Sequence, residues 1–144
     1  MLSKLAIAWC LMALCVVIHA MGLTAALTWI KGRSETTEGH FWVATWLLIC
    51  IAAWTILMHL FQIAVWALFY LWKHGMPDLP TSLYFSAVTY TTTGYGDLVL
   101  PKAWRLVGGV EALTGILMCG LSTGLFFAVF TKVFGLNRGN SGAA

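Results

Sequence analysis

Eight consecutive residues, Thr91-Thr92-Thr93-Gly94-Tyr95-Gly96-Asp97-Leu98, combine small hydroxyls, two glycines and an acid in an order suited to holding a bare cation. A potassium ion gives up its water only where oxygens at similar spacing replace it. An extended backbone whose carbonyls all face one way supplies such a column. An ordinary strand of L-residues alternates its carbonyls, so every second residue must turn to left-handed or nearly left-handed dihedrals. Glycine does this at little cost, and Gly94 and Gly96 are spaced for it. Four copies around an axis would stack carbonyl rings from Thr92, Thr93, Gly94 and Tyr95. The Thr92 hydroxyl would close the inner end, Gly96 would form the last turn, and Asp97 would stand at the outer mouth. The competing reading is a β-turn that happens to contain Gly-Tyr-Gly-Asp. The flanks argue against it, because a short amphipathic stretch precedes the string and a long apolar helix follows.

The elements that must position this loop belong to a membrane. Of 144 residues, 60% are hydrophobic and 9% charged, which excludes a soluble domain. Apolar runs extend from Leu5 to Ile30, from Phe41 to Trp72 and from Ala103 to about Leu136, each exceeding the ~20 residues that span a bilayer as helix. The stretch from Pro80 to Thr91 is too short to span and fits a re-entrant pore helix, tolerated at membrane depth when wrapped in protein. The expected fold is therefore an all-α membrane protein. Three transmembrane helices carry a re-entrant pore helix and a selectivity-filter loop between the second and third, and the pore is homotetrameric because one loop is one quarter of a filter. The expected division is an extra N-terminal helix and polar hairpin (1–40), a pore module (41–136) and a short tail (137–144). The pore module comprises an outer helix 41–72, pore helix 80–91, filter 92–97 and inner helix 103–134. The first apolar run resembles a signal peptide but is long for one, so a retained helix is expected.

Local signals agree. Asp78 followed by Pro80 marks a helix start. The pore helix ends at the filter, so its C-terminal carbonyls favour a cation beyond it. Trp42, Trp46, Trp66, Tyr70 and Trp72 lie toward the ends of the second helix, where interface anchors are expected. Pro101 and Lys102 are expected to begin the third helix. In that helix Gly120, Gly124 and Ala128 form a ladder of small residues that permits close helix approach. Ile116, Cys119, Thr123 and Phe127 fall on one face, the expected cavity lining. The net charge of +3 is scattered, which argues against a nucleic-acid partner. Cys10, Cys15, Cys50 and Cys119 lie in apolar runs without metal-ligand spacing and read as fillers. No nucleotide motif or catalytic set is present, so an enzyme is not expected, nor any cofactor beyond potassium ions in the filter.

The loop resembles that of potassium channels. The stretch Glu111-x-x-x-Gly115 together with Leu121-Ser-Thr-Gly-Leu-x-Phe-Ala-x-Phe130 resembles the inner helix of prokaryotic inward-rectifier-type potassium channels. The likeness covers roughly Trp66 to Phe134. It departs from that group in an additional first helix and in having only a short segment after Phe134 in place of a large cytoplasmic domain. The resemblance implies a glycine hinge at Gly115, with Thr123 and Gly124 beside the pore. It also implies a gate at Phe127, where a ring of four phenylalanines would close the path by dewetting; the plainer reading is a packing or lipid-facing aromatic. Related filters brace the Tyr95 position with a tryptophan and a threonine. Here the matching residues are Phe85 and Thr89, so Thr89 is the expected partner. Val88 stands where some channels keep a carboxylate, which leaves Asp97 to find Tyr84 or solvent. The resemblance also implies a bacterial plasma-membrane protein whose C-terminus is cytoplasmic.

Glu111 is expected to support the filter from behind, protonated or hydrogen-bonded, with Thr91 or Thr92 as donor. His19, His59 and Gln62 are polar groups at membrane depth, readable as a proton-sensing or metal pair or as neutral hydrogen-bonding histidines. The expected function is passive, selective potassium conduction by three identical partners around each chain, in a lipid bilayer. The alternatives are a weakly selective cation pore and a non-conducting membrane subunit that retains the loop.

Overall fold

The structure, a computed structural model, describes residues 2–32 and 41–133. The expectations for the hairpin at 33–40, the inner-helix end at 134 and the tail at 137–144 lie outside these. The described residues form four helices: α1 (Leu2–Lys31), α2 (Phe41–Trp72), α3 (Leu79–Tyr90) and α4 (Arg105–Val133). α1, α2 and α4 are long and apolar enough to cross a membrane. The 12 residues of α3 are not.

α1 and α4 run in the same direction, and α2 runs opposite to both. At one end Lys4 Nζ sits 4.8 Å from the Trp104 ring centre. At the other, Ala26 and Ile30 of α1 pack with Leu125 and Val129 of α4 and with Leu47 and Ile51 of α2. α1 and α2 touch closely at Gly22, where an added Cβ would lie 2.7 Å from Met58 Cε. The Trp54 indole N–H donates to the Gly22 carbonyl nearby at 3.0 Å.

α3 begins where its sequence stops it from continuing backward. Asp78 has extended dihedrals, and its side chain accepts from the Thr81 amide at 2.8 Å, with proline in the first turn. α3 then lies against α2, Phe85 meeting Tyr70 edge-on at 5.3 Å. Two expectations need correction here. Trp66 and Tyr70 are not interface anchors: both are buried, because they occupy the face of α2 that packs on α3 and α4, whereas Trp42, Trp46 and Trp72 are exposed. Pro101 and Lys102 do not begin the last helix either. The Trp104 amide closes a turn on the Pro101 carbonyl at 2.8 Å, and α4 starts at Arg105.

Candidate functional site

The loop leaves α3 through a C-cap at Thr91, whose amide and hydroxyl both donate to the Ala87 carbonyl, at 3.1 and 2.7 Å. The Thr91 and Thr93 hydroxyls are 2.9 Å apart. The chain then turns back on itself through its amides, Thr92 N–H donating to Thr89 C=O at 2.9 Å and Gly94 N–H to Val88 C=O at 3.2 Å. Positive φ follows at every second residue: Thr92 at 59°, Gly94 at 54° and Gly96 at 78°. For Thr92 this is an uncommon state, since a β-branched residue at positive φ is crowded, by ~1–2 kcal/mol. No carbonyl from Thr92 to Gly96 accepts a hydrogen bond among the described residues. The loop from Thr91 to Asp97 is exposed in the single chain. The Thr91, Thr92 and Gly94 amides are thus spent on α3, while the carbonyls from Thr92 to Gly96 remain free to meet a ligand.

One side-chain bond holds the loop's far end to α3, and two further sets fix α3 itself. At its outer end the Tyr84 hydroxyl donates to Asp97 Oδ2 at 2.8 Å. That bond to a carboxylate raises the Tyr84 phenol above its ordinary value. At the start of α3 the Thr81 amide at the Asp78 carboxylate holds that acid below its ordinary value. Behind the loop, Glu111 is 0% exposed. Its oxygens meet the Tyr70 hydroxyl at 2.6 Å and the Ser86 hydroxyl at 2.5 Å, and Ser86 Oγ also lies 2.9 Å from the Ile63 carbonyl. Ser86 has one proton for two acceptors. The set closes when Glu111 carries a proton and donates to Ser86, Ser86 donates to Ile63, and Tyr70 donates to Glu111. The expected donors Thr91 and Thr92 are therefore wrong: both belong to the far end of α3, whereas Glu111 sits opposite its middle. Nothing in the sequence marks Ser86 and Tyr70 for this role, since each has the type and place of an ordinary polar or interface residue of its helix.

The expected pair of Thr89 and Tyr95 does not form within the chain. Tyr95 is 70% exposed, and its hydroxyl has no hydrogen-bond partner among the described residues. Gly115 meets α3 more closely than any other glycine described. A Cβ there would fall on the Tyr90 carbonyl oxygen, which makes this glycine a requirement of packing. Gly120 and Gly124, by contrast, have nothing within 4 Å of an added Cβ. They share an open surface of α4 with Ile116, Cys119, Thr123 and Phe127, the last 66% exposed. His19, His59 and Gln62 belong to a separate polar cluster at the foot of α3. No group of three or more histidine, cysteine or acidic residues among the described residues is arranged to hold a metal ion, and the cysteines described are free thiols.

A family described as "Ion channel" matches residues 46–132, from the middle of α2 to the end of α4. The chain belongs to the ion-channel family. It is therefore a non-enzymatic membrane protein, and the matched region contains the loop and every contact that braces it. The potassium voltage-gated channel protein Shal of Drosophila melanogaster is 34% identical over 62 residues, 42% of this chain and 11% of Shal. The human A-type voltage-gated potassium channel KCND3 is 34% identical over 63 residues, 42% of this chain and 10% of that protein. The potassium voltage-gated channel protein shk-1 of Caenorhabditis elegans is 39% identical over 71 residues, 45% of this chain and 13% of shk-1. The chain thus spans about a tenth of the length of these relatives. No solved structure matches it.

Proposed function

We propose that four copies of this chain surround an axis and conduct potassium passively, through a filter made by the carbonyls of Thr92, Thr93, Gly94 and Tyr95. The observation that carries this reading is the alternation of left-handed φ at Thr92, Gly94 and Gly96. Alternation of that kind aligns successive carbonyls on one side of the chain, and these carbonyls are not consumed by the protein. The potassium channels that match the same region support the choice of ion. In this reading α3 is a re-entrant pore helix, Asp97 marks the outer mouth, and Tyr84, Thr89 and Glu111 brace the filter. The open surface of α4 with Gly120 and Gly124 meets a second copy or the cavity. Gly115 and Gly124 set the path of the inner helix, while Thr123 and Phe127 line and gate it. The outward-turned Tyr95 would take its partner from the neighbouring copy, where Thr89 is the candidate hydroxyl. The pore is of the bacterial inward-rectifier type, in a bacterial plasma membrane, with the C-terminus in the cytoplasm.

Purified protein in liposomes tests this. Potassium efflux should greatly exceed sodium efflux and be blocked by barium, and equal fluxes of the two ions would remove the selective-filter reading. A weakly selective cation pore is the second reading. It is favoured by Phe85, which has no hydrogen-bonding group to offer Tyr95 and leaves Thr89 as the candidate brace, since a weakly braced filter can widen.

A further inference from the structure

Five side chains from all four helices close a ring. His19 Nδ1 is 2.9 Å from Gln62 Nε2, and His19 Nε2 is 3.1 Å from Ser122 Oγ. Ser122 Oγ is 3.0 Å from His59 Nε2, and His59 Nδ1 is 3.1 Å from Tyr90 Oη. The Tyr90 hydroxyl donates to Gln62 Oε1 at 2.5 Å, which completes the circuit. His19, Gln62, Tyr90 and Ser122 are buried, and His59 is half-buried.

The proton count has one consistent solution for this arrangement. Gln62 donates to His19 Nδ1, so the His19 proton is on Nε2 and goes to Ser122. Ser122 donates to His59 Nε2, so the His59 proton is on Nδ1 and goes to Tyr90. Tyr90 donates to Gln62. Each member donates once and accepts once within the ring, so all five links are filled. Turning the Gln62 amide over reverses every bond and swaps both tautomers, and the count still closes. In either sense the two imidazoles are neutral and carry their protons on opposite nitrogens.

We propose that this ring is a proton-operated clamp on the pore: closed when both histidines are neutral, it ties α1, α2 and α4 to Tyr90 at the foot of the filter, and a proton on either histidine opens it and lowers conduction. A sixth hydrogen has no link to occupy. It must turn out the Ser122 hydroxyl or force the Gln62 amide to flip, and it leaves a charge in an apolar setting that favours entry of water. The titratable groups facing the ring are the thiols of Cys15 on α1 and Cys119 on α4, the Tyr90 phenol on α3, and the Glu111 carboxyl on α4. The Glu111 oxygens are already engaged by Tyr70 and Ser86, so no free carboxylate stands by to pair with an imidazolium. Tyr90 links the clamp to conduction, because it is one residue before the Thr91 cap and its carbonyl is the one packed on Gly115. The effect on conduction rests on the pore reading above; the ring itself does not.

The test uses the full chain in liposomes with nitrogen-15-labelled histidine, assigned with His19→Gln and His59→Gln. At about pH 8, nitrogen spectra should give opposite tautomers for His19 and His59, and both patterns should be lost together on acidification to about pH 5. Potassium efflux of the parent should fall several-fold over that range and stay flat in the His19→Gln/His59→Gln double variant. Two histidines in the same tautomer would overturn the clamp, as would a double variant that keeps the parent's pH response. If the double variant does not assemble, the tautomers of the parent decide. A parent that passes no potassium at about pH 8 contradicts the pore reading. The clamp is then judged by the spectra alone, and it stands only if the opposed tautomers disappear together in acid.

Discussion

The Tyr90 carbonyl oxygen occupies the place where Gly115 would carry a Cβ. The last residue of α3 and the backbone of α4 are in contact with no side chain between them, so the start of the loop after Tyr90 is positioned directly by α4. Gly115→Ala must push these backbones apart, at a cost of about 1–3 kcal/mol per chain as overpacking. The expected outcome is a lower melting temperature and loss of potassium flux, whereas Gly109→Ala, with open space around it, should leave both near the parent. Thermal unfolding of the two variants in detergent checks this.

Glu111→Gln should be tolerated. Its amide can donate to Ser86 and its carbonyl can accept from Tyr70, which reproduces the bonds of the protonated acid. Glu111→Leu leaves the Tyr70 hydroxyl without its acceptor in a buried site, while Ser86 keeps the Ile63 carbonyl, and should destabilise the chain by about 1–3 kcal/mol. Tetramer yield and melting temperature report the difference. A Glu111→Gln protein that assembles fully but conducts half as much would place the carboxylate in the ion path instead.

The bond between Tyr84 and Asp97 gives the far end of the loop an alkaline limit. The phenol is raised from 10.0 chiefly by its bond to Asp97. A raised acid contributes stability fully below its unfolded value and loses it as pH rises through the folded value. Flux should therefore hold up to about pH 10 and decline beyond it, and Tyr84→Phe should conduct less at neutral pH and lack that alkaline step. Flux measured against external pH in the two proteins decides it.

Phe127 is the most exposed of the three phenylalanines of α4. Phe127→Ala should raise basal potassium flux by removing an apolar constriction. Phe130→Ala, on the same helix but at a less exposed side chain, should raise it less. Equal flux from both variants and the parent would move the gate elsewhere on α4.

The helices and the loop were readable from the chain because each rests on local chemistry. Apolar runs gave α1, α2 and α4, Asp78 with Pro80 gave the start of α3, and the spacing of Gly94 and Gly96 gave the left-handed turns. The left-handed Thr92 was not readable, since nothing in a threonine's identity announces positive φ. The partners of Glu111 were misread for a related reason. Which hydroxyl reaches a buried acid depends on how α2 rotates over α3, and the apolar faces of a membrane helix leave that rotation almost unmarked. Position alone makes interface anchors of Trp66 and Tyr70, while their packing in the cluster with Phe85 and Met118 turns them inward. The histidine cluster was visible as polar residues out of place. Its closure through Tyr90 and Ser122 needed all four helices at once.

Potassium and sodium efflux from the same liposomes, for the parent and for Gly96→Ala, tests the central claim most directly. Ala resists the positive φ of Gly96 by ~1–2 kcal/mol in each of four copies. The account predicts strongly potassium-selective efflux from the parent, and its loss in Gly96→Ala tetramers that remain intact. Equal potassium and sodium efflux from folded parent tetramers, or unchanged selectivity in Gly96→Ala, would contradict it.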